Sequence, residues 1–130
     1  MIEQRIGDRV DSCQPNTSCI VKIKELTSFQ WDKMFVFSYG ASPEYIEKAL
    51  GLPLPEYVEF QRRFVFLKDG RIVYREDEPT DIEGVVDGQV SFAGMYTEPS
   101  YLSFTPETAT FSAAKREYSK KVVYVLTPTK

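Results

Sequence analysis

The sequence of 130 residues contains no histidine and only two cysteines. Histidine is the commonest general base in enzymes, so its absence excludes Ser-His-Asp and Cys-His catalytic arrangements. A structural zinc ion usually takes four Cys or His ligands, which this composition cannot supply. We therefore expect a protein that is not an enzyme and that has no catalytic residues, no metal site and no cofactor.

Long apolar runs and blocks of basic residues are also missing. A bilayer-spanning helix needs roughly 20 apolar residues, far more than any run in this chain, so we expect a protein that does not span a membrane. The 16 basic and 19 acidic residues give a net charge of −3, and the basic residues form no block. Nucleic acid is therefore not an expected partner.

The N-terminal residues 1–11 are charged throughout and lack the apolar core of a signal peptide. Two locations stay open, the cytoplasm or an outer compartment reached with a leader that was later removed. We expect residues 1–19 to form an N-terminal extension and residues 20–130 to form one domain, because domains cluster at about 100–150 residues.

The two cysteines, Cys13 and Cys19, enclose the turn-forming residues Gln-Pro-Asn-Thr-Ser. This spacing favours a disulfide, which requires an oxidising compartment. Two reduced thiols are the alternative.

A strand and a helix are predicted side by side in the middle of the chain. Residues 31–37 are rich in β-favouring aromatic and branched side chains. Ser-Pro-Glu at 42–44 supplies a capping serine, a proline in the first turn and an acid near the positive end of the helix dipole. We expect a helix at about 43–50 that ends at Gly51.

Five further strands are predicted around this pair. Alternation at about 20–26 indicates a strand that pairs antiparallel with 31–37, because the connection is too short for a parallel crossover. Lys-Asp-Gly-Arg at 68–71 separates two apolar runs and predicts a tight hairpin. Residues 89–93 and 122–126 complete the set.

Two segments are harder to assign. Residues 56–61 are interpreted as a short turn of helix. Residues 105–118 fit either a helix that is capped at Thr105 or strands of a hairpin around Pro106 and Glu107. The β-branched threonines favour the hairpin.

These elements predict an α+β fold, with one mostly antiparallel sheet of about six to eight strands and the helix at 43–50 packed on one face. The predicted core takes apolar side chains from the strand, the helix and the hairpin. It consists of Trp31, Phe35, Phe37, Ile46, Leu50, Phe64 and Phe66.

A binding surface is predicted in the acidic connection at residues 76–87, after the hairpin, and in the loop after the next strand. Loops carry function more often than strands do, rings supply hot spots, and carboxylates steer basic partners. The candidate residues for binding a protein partner are Asp77, Glu78, Asp81, Glu83, Met95, Tyr96 and Tyr101. Calcium is an alternative for the carboxylates, but their spacing differs from a helix-flanked calcium loop.

Two charged pairs have simpler explanations than a site. Glu44 and Glu47 fit a first-turn acid and a solvated side chain better than a catalytic pair. Arg62 and Arg63 fit exposed charges that protect a sheet edge better than an anion site.

The residues Trp-Asp-Lys-Met-Phe-Val-Phe at 31–37 and Ser-Pro-Glu-Tyr-Ile-Glu-Lys-Ala-Leu-Gly at 42–51 resemble the central motif of a family of small uncharacterised bacterial envelope proteins. In that family a leader or lipoprotein signal precedes the domain. The resemblance implies a bacterial source and a periplasmic or envelope location, with the cytoplasm as the alternative. It implies no catalytic residues.

We therefore expect a non-enzymatic extracytoplasmic protein that binds a macromolecular partner, such as an inhibitor or a toxin-immunity protein. A large exposed aromatic patch would favour this function. The first alternative is a small-ligand or lipid-binding envelope protein with an apolar cavity between helix and sheet. The second is a cytosolic enzyme that works without histidine.

Overall fold

The computed structural model describes residues 1–15, 17–81, 84–95 and 98–129. Within these residues the chain has two α-helices and eight strands, and the strands form two four-stranded sheets. The strands pair antiparallel except for one parallel pair. The α+β class and the mostly antiparallel pairing are thus confirmed, whereas the single sheet is wrong.

The chain divides into two compact units, each of which contains one sheet. Residues 1–28, 81–94 and 106–130 form the first unit, and residues 29–80 and 95–105 form the second. The division into an extension at 1–19 and a domain at 20–130 concerns independent folding, which compactness does not measure. It stays a prediction.

The first unit combines a helix with a sheet. Its elements are α1 (Ile2–Asp11), β1 (Ile20–Lys22), β5 (Gln89–Phe92), β7 (Thr110–Tyr118) and β8 (Lys121–Pro128). The strand order in the sheet is β1, β7, β8, β5, with β5 parallel to β8. The strands predicted at 89–93 and 122–126 are therefore confirmed.

Helix α1 is absent from the sequence expectations because charged residues surround its narrow apolar stripe. Ile2, Ile6 and Val10 recur four apart and are buried on one face. A Cβ at Gly7 would lie 2.9 Å from Cε2 of Tyr124, so glycine allows the helix to approach β8 closely.

The turn after α1 is closed by a disulfide between Cys13 and Cys19, with a Cα–Cα distance of 5.7 Å. The predicted pairing of these cysteines is confirmed. The disulfide connects the end of α1 to the start of β1.

Strand β1 is shorter than predicted, because the chain turns into a 3₁₀ helix at Ile23–Glu25. β1 pairs with β7 in the first unit. The predicted pairing of the 20–26 strand with the 31–37 strand is therefore wrong.

The second unit contains the predicted central strand, helix and hairpin. Its elements are β2 (Lys33–Phe37), α2 (Pro43–Leu50), β3 (Arg62–Lys68), β4 (Arg71–Glu78) and β6 (Tyr101–Phe104). The strand order is β4, β3, β2, β6.

Both local motifs of this unit are confirmed. The Oγ of Ser42 accepts the N–H of Tyr45 at 3.1 Å, and Gly51 ends α2 in the left-handed region with φ of 72°. Asp69 and Gly70 connect β3 to β4, with φ of 52° and 74°.

The core of the second unit lies on two faces of its sheet. The side chains on the α2 face come from strand, helix and loop: Phe35, Phe37, Ala41, Ile46, Leu50, Leu54, Val65 and Leu67. Phe64 and Phe66 are buried on the opposite face because side chains alternate along β3, and the Trp31 ring lies 5.1 Å from that of Phe66. A single predicted core containing all seven residues is therefore wrong.

The ambiguous tail forms strands rather than a helix. However, β6 pairs with β2, and β7 pairs with β1 and β8. The strand interpretation is confirmed, while the hairpin between these two segments is wrong because each strand belongs to a different sheet.

Candidate functional site

The structure places the residues of the predicted binding surface in different elements. Asp77 and Glu78 lie on β4, and Glu78 is buried with 4% of its surface exposed. Asp81 is exposed in the first unit, where its carboxylate lies 3.9 Å from Nζ of Lys121. The expectation of an exposed acidic connection that starts at residue 76 is wrong, because β4 continues to Glu78.

The other residues predicted for that surface differ in exposure. Met95 is half-buried, and Tyr101 is 41% exposed on β6. Glu83 and Tyr96 lie outside the described residues. Tyr101 therefore remains available as an exposed aromatic ring.

A more distinctive feature is the loop at residues 55–61, between α2 and β3, which we call the 55–61 loop. The expected turn of helix at 56–61 is wrong, since Glu56 and Phe60 adopt φ of 54° and 58°. Positive φ is uncommon for residues other than glycine, and for a bulky side chain such as Phe60 it is an outlier. Such a conformation persists only when the surrounding structure fixes it.

The base of the 55–61 loop rests on a buried arginine. Arg63 is 0% exposed, and its guanidinium carbon lies 4.5 Å from the centre of the Tyr57 ring. Its Nη1 donates a hydrogen bond to the carbonyl oxygen of Gln61 at 3.0 Å. The expectation that Arg62 and Arg63 guard a sheet edge is wrong, because β3 is an interior strand.

An acid and a second arginine complete this cluster. Asp77 faces Arg63 across the β3–β4 pair, with 3.3 Å between Oδ1 and Nε. The other carboxylate oxygen of Asp77 accepts a hydrogen bond from Nη2 of Arg75 at 2.8 Å. Burial lowers the pKa of Arg63, and the negative charge of Asp77 opposes that shift.

The same cluster binds the outer backbone of the loop. Arg75 donates hydrogen bonds to the carbonyl oxygens of Pro55 and Glu56, the latter at 3.0 Å. Two bonds to the helix region add to these. Oε2 of Glu47 accepts the N–H of Leu54 at 2.6 Å, and the Tyr57 hydroxyl donates to the carbonyl oxygen of Ala41 at 2.9 Å.

The outward surface of the 55–61 loop is apolar and acidic. Val58 is 49% exposed and Phe60 is 57% exposed. Glu56 and Glu59 are exposed beside them. The loop thus exposes two apolar side chains and two carboxylates, while Arg63 and Arg75 donate hydrogen bonds to its backbone.

Sequence reasoning missed this loop because its supports are distant in the chain. Arg75 and Asp77 follow the loop by about a strand and a turn, and only the register of β3 with β4 brings them to its base. One sequence signal was available. Leu-Pro-Leu-Pro at 52–55 excludes helix and precedes an apolar, acidic segment that no strand pattern explains.

The described part of the chain contains no group of three or more His, Cys, Asp or Glu residues that could hold a metal ion. The helices in these ranges are too short and too polar to cross a bilayer. The buried side chains of the α2 face of the core lie between α2 and its sheet.

No family model, no curated protein and no solved structure matches the chain.

Proposed function

We propose that this protein acts without catalysis, by binding a macromolecular partner through the 55–61 loop. One observation carries the proposal. The loop exposes Val58 and Phe60, while buried Arg63 and half-buried Arg75 and Asp77 form a cluster that holds its backbone.

An exposed ring on a fixed loop suits the binding of another protein. Aromatic residues are enriched in binding hot spots, where a few side chains provide most of the affinity. A loop that is already held in its bound conformation loses little conformational entropy on association. The left-handed φ of Phe60 in this fixed loop fits that role, because conformations of this kind cluster at functional sites.

The acids on the loop define the partner's chemistry. Glu56 and Glu59 flank the apolar pair, so the complementary surface is an apolar pocket with Lys or Arg at its rim. Attraction between such charges speeds association and weakens with salt, since exposed charges are screened beyond about 8 Å at physiological ionic strength.

We place this binding outside the cytoplasm, in the periplasm or the cell envelope. The Cys13–Cys19 disulfide supports the location, because disulfides persist in oxidising compartments. An inhibitor or a toxin-immunity protein is the type of function that fits a rigid loop without catalytic groups.

The proposal is tested by comparing what the parent and matched variants capture from an extract of the source organism. Val58→Ser with Phe60→Ser removes the apolar pair of the loop. Val73→Ser is the control, because Val73 is 43% exposed on β4, away from the loop in sequence. Quantitative mass spectrometry should identify a protein that the parent and the control retain and the loop variant loses.

Calorimetric titration with the identified protein then measures the affinity. We expect the loop variant to bind at least about tenfold more weakly, as hot-spot truncation predicts. Equal affinity of parent and loop variant would remove the 55–61 loop from consideration. Metal-independent turnover by the purified protein in a hydrolase screen would overturn the non-catalytic function.

A further inference from the structure

Strand β6 forms an open edge of the second unit's sheet. The N–H of Ser38 donates to the carbonyl oxygen of Ser100 at 3.0 Å, which fixes the hydrogen-bonding pattern between β2 and β6. In an antiparallel pair, bonded and non-bonded residue pairs alternate. The register therefore bonds Leu102 to Val36 and directs the backbone groups of Tyr101 and Ser103 away from β2.

These outward groups form a short ladder. Two N–H and two C=O groups, from Tyr101 and Ser103, point to the open side of the sheet, where no further strand follows β6 in the described residues. Both residues are exposed. A second extended backbone has the donor and acceptor spacing that matches such a ladder.

Strand β4, at the opposite edge of this sheet, has an interrupted ladder instead. The register of β3 with β4 shifts between Phe66 and Leu67, so that Val73 has no residue opposite it. Such a bulge twists an edge strand and interrupts the ladder. β6 shows no register shift in its pairing with β2.

An aromatic surface lies beside the β6 ladder on the α2 face. The centre of the Tyr101 ring is 5.8 Å from that of Phe35, 5.7 Å from that of Phe37 and 6.1 Å from that of Tyr45. Tyr101 itself remains 41% exposed. Since alternate side chains of an added strand point to this face, an apolar one among them would pack on the rings.

We propose that the β6 edge binds an extended peptide segment of a partner protein as an added strand. The ladder of Tyr101 and Ser103 supplies the main-chain bonds, and the rings of Tyr101 and Tyr45 select an apolar side chain at one position of the peptide. This surface is independent of the 55–61 loop, so either proposal can fail without the other.

The probe is a library of random decapeptides displayed on phage and selected on the complete folded protein. We expect the enriched sequences to share an apolar residue at one position. On binding of a selected synthetic peptide, the amide protons of Tyr101 and Ser103 should gain protection from hydrogen exchange, while that of Leu102 is already bonded and should change little. Enriched peptides that leave the Tyr101 and Ser103 amides unprotected would overturn the proposal, as would a library without enrichment.

Ser103→Pro removes the outward N–H without removing a bond to β2, because proline is tolerated where the N–H of an edge strand faces solvent. It should weaken peptide binding by at least about tenfold, whereas Ser103→Ala should retain it within about twofold. Equal binding by the two variants would contradict strand addition.

Two N-methylated forms of the selected peptide test the same geometry without altering the protein. Each carries methyl groups on one set of alternate residues, and only the set whose N–H groups face β6 should abolish binding. Equal effects of the two sets would refute the ladder even if Ser103→Pro fails to fold. If this chain forms a dimer that Ser103→Pro dissociates, the added strand comes from a second copy of the chain and not from a partner protein. That result would also overturn the proposal.

Discussion

Arg63 lies beneath the ring of Tyr57, with 4.5 Å between the guanidinium carbon and the ring centre. A planar guanidinium stacks on an aromatic face and still donates hydrogen bonds at its edge, which an ammonium group does less well. Arg63 thereby contacts Tyr57, the carbonyl oxygen of Gln61 and the carboxylate of Asp77 at once. It connects the 55–61 loop to the sheet.

Replacing Arg63 with methionine should destabilise the protein strongly. The change keeps an apolar stem but leaves the Gln61 carbonyl without its donor and Asp77 with Arg75 alone. Removing one partner of a buried pair typically costs about 3–5 kcal/mol, and we expect the lower end because Asp77 stays partly exposed. Urea unfolding followed by Trp31 fluorescence measures the free energy.

Arg62→Met is the matched control for that change. Arg62 is adjacent in sequence, is only half-buried and donates to the carbonyl oxygen of Pro79 at 2.8 Å. Its loss should cost less than about 1.5 kcal/mol. Similar losses for both variants would mean that buried Arg63 does not support the loop.

Phe60→Asn should separate stability from binding. Asparagine adopts positive φ far more readily than phenylalanine, and the exposed ring of Phe60 contributes little burial. We expect the free energy of unfolding to stay equal or to rise by up to about 1 kcal/mol, while partner affinity falls. A marked loss of stability would show that the ring supports the fold rather than the interface.

Reduction of the Cys13–Cys19 disulfide should lower the melting temperature. Closing a short loop restricts the unfolded chain and contributes about 2 kcal/mol. Thermal unfolding with and without dithiothreitol measures the effect, and a Cys13→Ser, Cys19→Ser variant should match the reduced protein. Alkylation of both cysteines in oxidised, folded protein, detected by intact mass, would refute the disulfide.

Leu50→Ala should weaken the attachment of α2 to its sheet. Leu50 is buried in the α2-face core, and such truncations cost roughly 2–5 kcal/mol through lost burial and the cavity left behind. Lys48→Ala, on the exposed side of the same helix, should leave the free energy of unfolding within about 0.5 kcal/mol of the parent. An unchanged melting temperature for Leu50→Ala would show that α2 is not docked there.

Alkaline pH should destabilise the first unit through Tyr124. Burial raises the pKa of Tyr124 to about 12, and the hydrogen bond from its hydroxyl to Asp11 adds to the shift. Because the folded pKa lies above the ordinary value of 10.0, this contribution to stability is complete below about pH 10 and is lost as pH rises towards 12. Above that pH the folded state either keeps the Tyr124 phenolate buried or exposes it to water.

The difference in unfolding free energy between the parent and Tyr124→Phe isolates this effect from the other tyrosines. We expect the parent to lose its advantage over the variant between pH 10 and pH 12. A constant difference over that range would contradict the raised pKa.

Local features of the fold were readable in the sequence wherever neighbouring residues decide the conformation. The α2 boundaries follow from Ser42, Pro43 and Gly51, because each satisfies or terminates helical hydrogen bonds within a turn. The β3–β4 hairpin follows from Asp69 and Gly70, because both tolerate positive φ.

The candidate site was less readable. Tyr101 was identified as an aromatic residue in a loop, but its ladder at the β6 edge depends on which strand lies beside it. The sequence favours a turn of helix around Phe60, because nothing adjacent in the chain indicates that Arg63 and Arg75 donate hydrogen bonds to the backbone of the loop.

The amino-acid sequence alone specifies helix α2, the tight hairpin and the strand character of most segments, and it favours the pairing of the two cysteines. Each of these depends on contacts between residues close in the chain, where propensity and turn chemistry dominate. Contacts between segments that are distant in the chain arrange the strands in two sheets, bury Arg63 and leave β6 at an edge. Long-range packing of apolar faces determines which strands pair. The alternation of apolar and polar residues along one strand is compatible with several neighbouring strands.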